Sequence, residues 1–188
     1  MVGNQVPNSS GVSIISHYKQ SQNGRYKSLQ GFYIPRNGGP YKGPAKKPLF
    51  RSKLELRLMR MLDNPNAANV AAWEYESRRI PYRDKSSVFY DNSGRPVFQQ
   101  RNYVVDFVVK VKAGNGVVNT FWIEVKSVND IEVNKRHRTT KNAKISEKIR
   151  LKNMCKWMAA AQAAKNSGAR FMVVTEKELD SLAKMIFG

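Results

Sequence analysis

Residues 103–127, "YVVDFVVKVKAGNGVVNTFWIEVKS", constrain the fold more than any other stretch of this chain. Two apolar runs rich in β-branched and aromatic residues flank a short Gly-containing turn, the pattern of a hairpin. Each run carries an acid where an apolar residue is expected, Asp106 in the first and Glu124 in the second. Side chains alternate between faces along a strand, so Glu124 and Lys126 share one. The hairpin can bring Asp106 beside Glu124. Two carboxylates on adjacent strands repel each other unless a cation lies between them, and such oxygen donors suit Mg²⁺, or Mn²⁺ in its place. Lys126 would then orient or help deprotonate a water and stabilise charge developing on a phosphoryl group. The structural alternative is an ion pair between Lys126 and one of the acids.

The flanking sequence frames this hairpin. A helix is expected from near Ser52, with Leu54, Leu58, Met61 and Leu62 on one face and "DNPN" at 63–66 ending it. Ser52 and Glu55 have the spacing of a capping box. "AAWEYESRRIPY" reads as a strand to Pro81, and "DNSGRP" as a hairpin turn. A long helix follows from about Asn142 to Lys165, with Ile145, Ile149, Trp157, Met158 and Ala161 as its expected core face. "ARFMVVT" is a late buried strand, and Thr175 and Glu178 cap a last helix ending near Phe187. The order implies an α/β fold, a mixed β-sheet flanked by helices. Residues 1–45, rich in Gly, Asn, Ser and Pro, read as an extended basic N-terminal arm, and 46–188 as the folded domain. Val12, Ile14, Ile15, Phe32, Tyr33 and Ile34 mark parts of the arm that dock.

Charge points to the partner. Thirty-three Lys and Arg against fourteen Asp and Glu leave +19, and no acid precedes Glu55. A second basic block, from Lys135 to Lys156, is broken only by Glu147. Such an excess favours phosphate contacts on a nucleic acid. Lys135, Arg136 and Arg138 belong to a phosphate-contacting loop or helix, and Lys141 and Lys144 either grip the scissile strand or form a solvated face. His137 has no Cys or His cluster near it, which argues against zinc. Tyr82, Phe89 and Tyr90 either stack on bases or sit in a half-buried sheet. The one cysteine, Cys155, suits a reducing compartment, no stretch is apolar enough for a membrane span, and no Gly-rich phosphate loop occurs.

Asp106, a spacer hairpin and "IEVKS" together resemble the PD-(D/E)XK nuclease superfamily, whose restriction-endonuclease-like core carries an acid, a gap and E-x-K at a strand end. Val105–Asp106 stands in place of "PD". With "FRSKLE", "DNPN", "WEYESRRIPY" and "ARFMVVTEKEL", the chain from about Phe50 to Leu182 is similar to the head completion nucleases of tailed bacteriophages and, more distantly, to the endonuclease subunit of heteromeric transposases. The resemblance implies a nuclease at the portal or neck of a phage capsid, in the virion and in the host cytoplasm during assembly. It would act on double-stranded DNA ends after packaging and before tail attachment, contacting portal, neck or other head proteins within a ring assembly. It implies Glu55, Asp106 and Glu124 as carboxylates of a Mg²⁺ site and Lys126 as the catalytic lysine. Glu76 matches a family position as an accessory acid, or else pairs with Arg78 or Arg79. Two other readings stay open: a structural connector that holds DNA without cutting it, and a transposase-type subunit.

Overall fold

The computed structural model describes residues 14–17, 29–131 and 140–187, and only the main chain of 14–17, 140–143 and 186–187. The first helix, α1 (Lys53–Leu62), begins where the sequence places it. Extended Ser52 caps it, its Oγ accepting the Glu55 N–H at 3.1 Å. Leu56, Leu58, Met59 and Leu62 are buried, with Leu54 and Met61 packed alongside. Asp63 closes the helix, its N–H donating to the Met59 carbonyl at 3.0 Å. The buried Asp63 carboxylate accepts the Tyr33 hydroxyl at 3.0 Å and the Arg36 N–H at 2.6 Å.

Three short strands precede or adjoin this helix: β1 (Ile14–His17), β2 (Gln30–Tyr33) and β3 (Leu49–Phe50), forming a small antiparallel sheet. The main sheet has β4 (Val70–Tyr90), β5 (Pro96–Lys112), β6 (Val118–Val125) and β7 (Arg170–Val174), in that order. The first three form an antiparallel meander, and β7 runs parallel to β6. Helices α2 (Val128–Ile131) and α3 (Thr140–Asn166) make the β6–β7 connection, and α4 (Leu179–Phe187) closes the chain. One face of the sheet packs on α1 and α4 through Trp73, Phe107, Ile123, Leu58 and Leu179. The other packs on α3 through Tyr103, Val105, Trp122, Ala160 and Ala164. The result is the mixed four-stranded sheet flanked by helices that the sequence implied, a restriction-endonuclease-like fold.

Segment 29–50 is tied to this core. Tyr33 and Phe50 are fully buried. Tyr41 bridges to Trp73 with ring centroids 4.5 Å apart, and the Trp73 N–H and carbonyl bond the Pro40 carbonyl and the Lys42 N–H.

Two expectations need correcting. Strand β4 does not stop at Pro81 but runs on to Tyr90, with Pro81 opposite Asn102. It is an edge strand, where a missing N–H leaves no neighbour unpaired. On α3, Ile145, Ile149, Met158 and Ala161 are exposed, Trp157 is half-buried, and the buried side chains are Ala160 and Ala164. Small residues let the helix approach the sheet closely. At about 1.5 Å per residue a helix this long also outruns the eight-residue β6 it follows, leaving its first turns uncovered. No helix among the described residues is long and apolar enough to cross a membrane.

Candidate active site

The β5–β6 ladder ends at Phe107 opposite Ile123. One residue further the strands part, and the Asp106 side chain takes over: its Oδ2 accepts the Val125 N–H at 2.8 Å. Glu124 lies in β6, beside Val173 of β7, and is 3% exposed. Its Oε2 accepts the Tyr103 hydroxyl at 2.5 Å, and its Oε1 lies 3.1 Å from Lys126 Nζ. Lys126 is fixed just past the strand by its own N–H, which donates to the Val174 carbonyl at 3.0 Å. The ion pair read as the structural alternative is thus present, and it coexists with the acid pair.

Burial, and then the Glu124 charge, push the Asp106 carboxyl well above its ordinary value, and the bond from Val125 only partly opposes them. Burial alone would lower the Lys126 amine, but Glu124 beside it holds it above the usual lysine range. Lys126 is therefore a cation here rather than a base. Lys156 of α3 is a second amine at the site. Burial lowers it, and its Nζ lies 5.7 Å from the centre of the Tyr103 ring. Sequence reasoning missed Tyr103 and Lys156. The available signal for Lys156 was its position four residues before Ala160, on the same helix face.

Glu55 stands in a neighbouring network. Its Oε1 accepts the Ser52 hydroxyl at 2.9 Å, and its Oε2 accepts the Arg51 N–H at 2.8 Å and the Tyr75 hydroxyl at 2.6 Å. The capping box forms in shifted fashion, reaching the N–H of Arg51 rather than that of Ser52. Glu55 is still near enough for its charge to add to the rise in Asp106. Glu76 does not pair with Arg78 or Arg79. It lies in a β-bulge between Tyr75 and Arg78 with φ 49°, and its carboxylate binds the Arg51 guanidinium. The bulge and left-handed backbone turn it toward α1 and leave both arginines beyond it.

Among the described residues no three Asp, Glu, His or Cys side chains are close enough to hold a metal ion together. Asp106 and Glu124 alone fit one, because Mg²⁺ is commonly held by one or two carboxylates plus waters and substrate phosphate. The one hydrogen bond Asp106 accepts from a described residue is at Oδ2, and its repulsion with Glu124, which Lys126 on the Glu124 side offsets only in part, is what a cation relieves. A hollow lined by Leu29, Lys53, Leu56, Arg57, Arg60, Met61 and Asn64 lies along α1, and none of the acids lines it. Lys135, Arg136, His137 and Arg138 fall outside the described residues, as does the Lys141 side chain, while Lys144 is exposed on α3. Tyr82 is buried, whereas Phe89 and Tyr90 are 57% and 72% exposed at the hairpin tip.

The restriction-endonuclease-like fold and the placing of Asp106, Glu124 and Lys126 are consistent with the PD-(D/E)XK-related nucleases. The chain belongs to the TnsA-like endonuclease family, matching the model of the TnsA-like endonuclease N-terminal domain over residues 67–176. It is also 31% identical over 161 residues to the head completion nuclease of Enterobacteria phage T4, covering 82% of this chain and 96% of that protein. No solved structure gives a significant match.

Proposed function

We propose that the protein is a metal-dependent DNA endonuclease of phage head completion, trimming or nicking double-stranded DNA ends at the portal after packaging and before tail attachment. The observation that carries this reading is the pair of half-buried Asp106 and buried Glu124 where the β5–β6 ladder opens, with Lys126 ion-paired to Glu124 and no cation paired with Asp106 among the described residues. Asp106 and Glu124 would hold Mg²⁺ or Mn²⁺, and Glu55 would adjust the charge from the neighbouring network. When bound, such an ion supplies Lewis acidity and makes an attached water acidic. Tyr103 fixes Glu124 in one orientation. Lys126 keeps its proton and faces the phosphate charge that grows as water attacks and a P–O bond breaks. The name of the phage T4 relative supports the head-completion setting over a transposase-type subunit.

Plasmid nicking tests the chemistry. Wild type should nick with Mg²⁺ or Mn²⁺ and stay silent with Ca²⁺ or EDTA, whose outcome depends on the tighter geometry Mg²⁺ demands. Lys126→Ala should be silent throughout, and undiminished cutting in EDTA would overturn the reading. Mg²⁺ should also raise the Tm of wild type but not of Asp106→Asn, because only an intact site binds it. In a phage lacking the protein, wild type but not Lys126→Ala should restore tailed particles. Full rescue by Lys126→Ala would leave a connector that holds DNA without cutting it.

A further inference from the structure

We propose that the outer half of the β4–β5 hairpin is a ribbon that lies in the major groove of duplex DNA beside the cut. The inference rests on the nuclease reading for its substrate, but on separate residues for its support. Beyond the bulge at Tyr75–Arg78, β4 and β5 pair only with each other, from Arg78 opposite Val105 to Tyr90 opposite Pro96. One face of this ribbon is taken: Ile80, Tyr82, Asp84 and Tyr103 are buried on the α3 side. Alternating with them, Arg79, Pro81 and Arg83 are exposed on the opposite face. Across the ladder, Asn102 stands opposite Pro81 and Gln100 opposite Arg83, both exposed too.

The free face therefore presents two guanidinium groups and two carboxamides, and no acid. The ribbon's acids are matched elsewhere: Asp84 with Arg101 at 3.0 Å, and Asp91 with Arg95 at 3.0 Å. Among the described residues neither Arg79 nor Arg83 has an acidic partner. A two-stranded ribbon fits the roughly 12 Å major groove, where carboxamides read adenine edges, and arginines can hold the flanking phosphates. At about 3.3 Å per residue, Asn102 lies some 13 Å along β5 from Asp106, and the hairpin tip roughly one turn of B-DNA away. Strand β5 carries both Asp106 and one side of the ribbon, so the register between groove and cut is fixed.

Binding, read without cutting, tests this. Fluorescence anisotropy with a 30-base-pair duplex and its single strand, across a KCl series in EDTA, would use full-length Lys126→Ala as parent. Adding Arg79→Ala and Arg83→Ala should weaken duplex binding at least tenfold and flatten the plot of log affinity against log salt by about 2, two phosphate contacts at ~0.9 each. Single-strand binding should change less. Gln100→Ala with Asn102→Ala should leave the salt slope alone and flatten sequence preference. Lys165→Ala with Arg170→Ala, the same charge loss at the far end of the sheet, is the control. If the arginine pair loses no more than this control, or loses single strand equally, the ribbon is not a groove reader. Unchanged DNA binding with a lost head-protein contact would make it a protein-docking arm and would overturn the inference too. Should wild type nick while ribbon variants bind and nick normally, this inference fails and the nuclease reading stands. Should wild type never nick while duplex binding still falls with the arginines, the ribbon stands and the nuclease reading fails.

Discussion

The inner and outer halves of the β4–β5 hairpin each carry one aspartate withdrawn from solvent, half-buried Asp106 and buried Asp84, and the two are treated in opposite ways. Asp106, in the inner half, lies between helices packed on both faces of the sheet and beside a second carboxylate. Burial and Glu124 push it up. Asp84, in the outer half, is 2% exposed. Burial would raise it as well, but the Ser86 hydroxyl and N–H, at 2.5 and 3.0 Å, together with Lys152 and Arg101, outweigh burial and hold it below the ordinary range. A buried acid that is fully hydrogen-bonded and paired serves the fold, whereas one left short of partners is available to a ligand.

The largest expected break of this contrast is Asp106→Asn. Asparagine still accepts from Val125, so the fold should persist while nicking falls by about a thousandfold or more, read in the plasmid assay. Stability should move the other way. Because the folded carboxyl is raised, wild type binds its proton more tightly than the unfolded chain does. It therefore loses stability as pH climbs from the ordinary carboxylate range through the folded value. The variant escapes that loss, and its Tm in EDTA should exceed that of wild type at pH 8 but not at pH 4.

Glu55→Gln comes next. The amide can keep the bonds to Arg51, Tyr75 and Ser52, so Tm should stay nearly constant while nicking drops about tenfold, or ~1.4 kcal/mol in the barrier. Glu55→Ala should lose activity and also about 1 kcal/mol of cap stability. If Glu55→Gln cuts like wild type, Glu55 is only a cap and the site reduces to Asp106, Glu124 and Lys126.

Asp84→Asn should have the smallest effect on cutting, within about twofold, yet it should destabilise the fold by roughly 1–3 kcal/mol, seen as a lower denaturation midpoint. Its sign is opposite to that of Asp106. A depressed carboxyl stabilises above its unfolded value, and that benefit disappears as pH falls through the folded one. Wild type and variant should therefore converge in acid. Equal melting at neutral pH would erase the contrast between the two halves.

Much of this arrangement was legible in the sequence, wherever local rules decide. The α1 cap at Ser52, the turns at 91–96 and 113–116, and the acids inside apolar strands follow from short-range chemistry, and Asp106, Glu124 and Lys126 meet as alternation demands. What the sequence hid depends on long-range registration. Whether Ile145 or Ala160 faces the core is settled by where α3 crosses the sheet. The approach of Tyr103 and Lys156 to Glu124 needs that same crossing, and the Arg51–Glu76 pair needs a bulge whose left-handed residue is not a glycine.

The open edge of β4 has a consequence for how crowded copies of the chain behave. A bare strand edge is a template for a second copy, and long flat edges seed aggregates. Here the inner stretch is already occupied, since Pro40 and Lys42 take both main-chain groups of Trp73. The outer stretch is spoiled as a template in a different way, by bulges on either side of Pro81 and by that residue's missing N–H. Pairing with a second copy is thereby discouraged at Trp73 and around Pro81, so a strongly basic protein can be crowded on a polyanion with less risk of sheets growing from this edge.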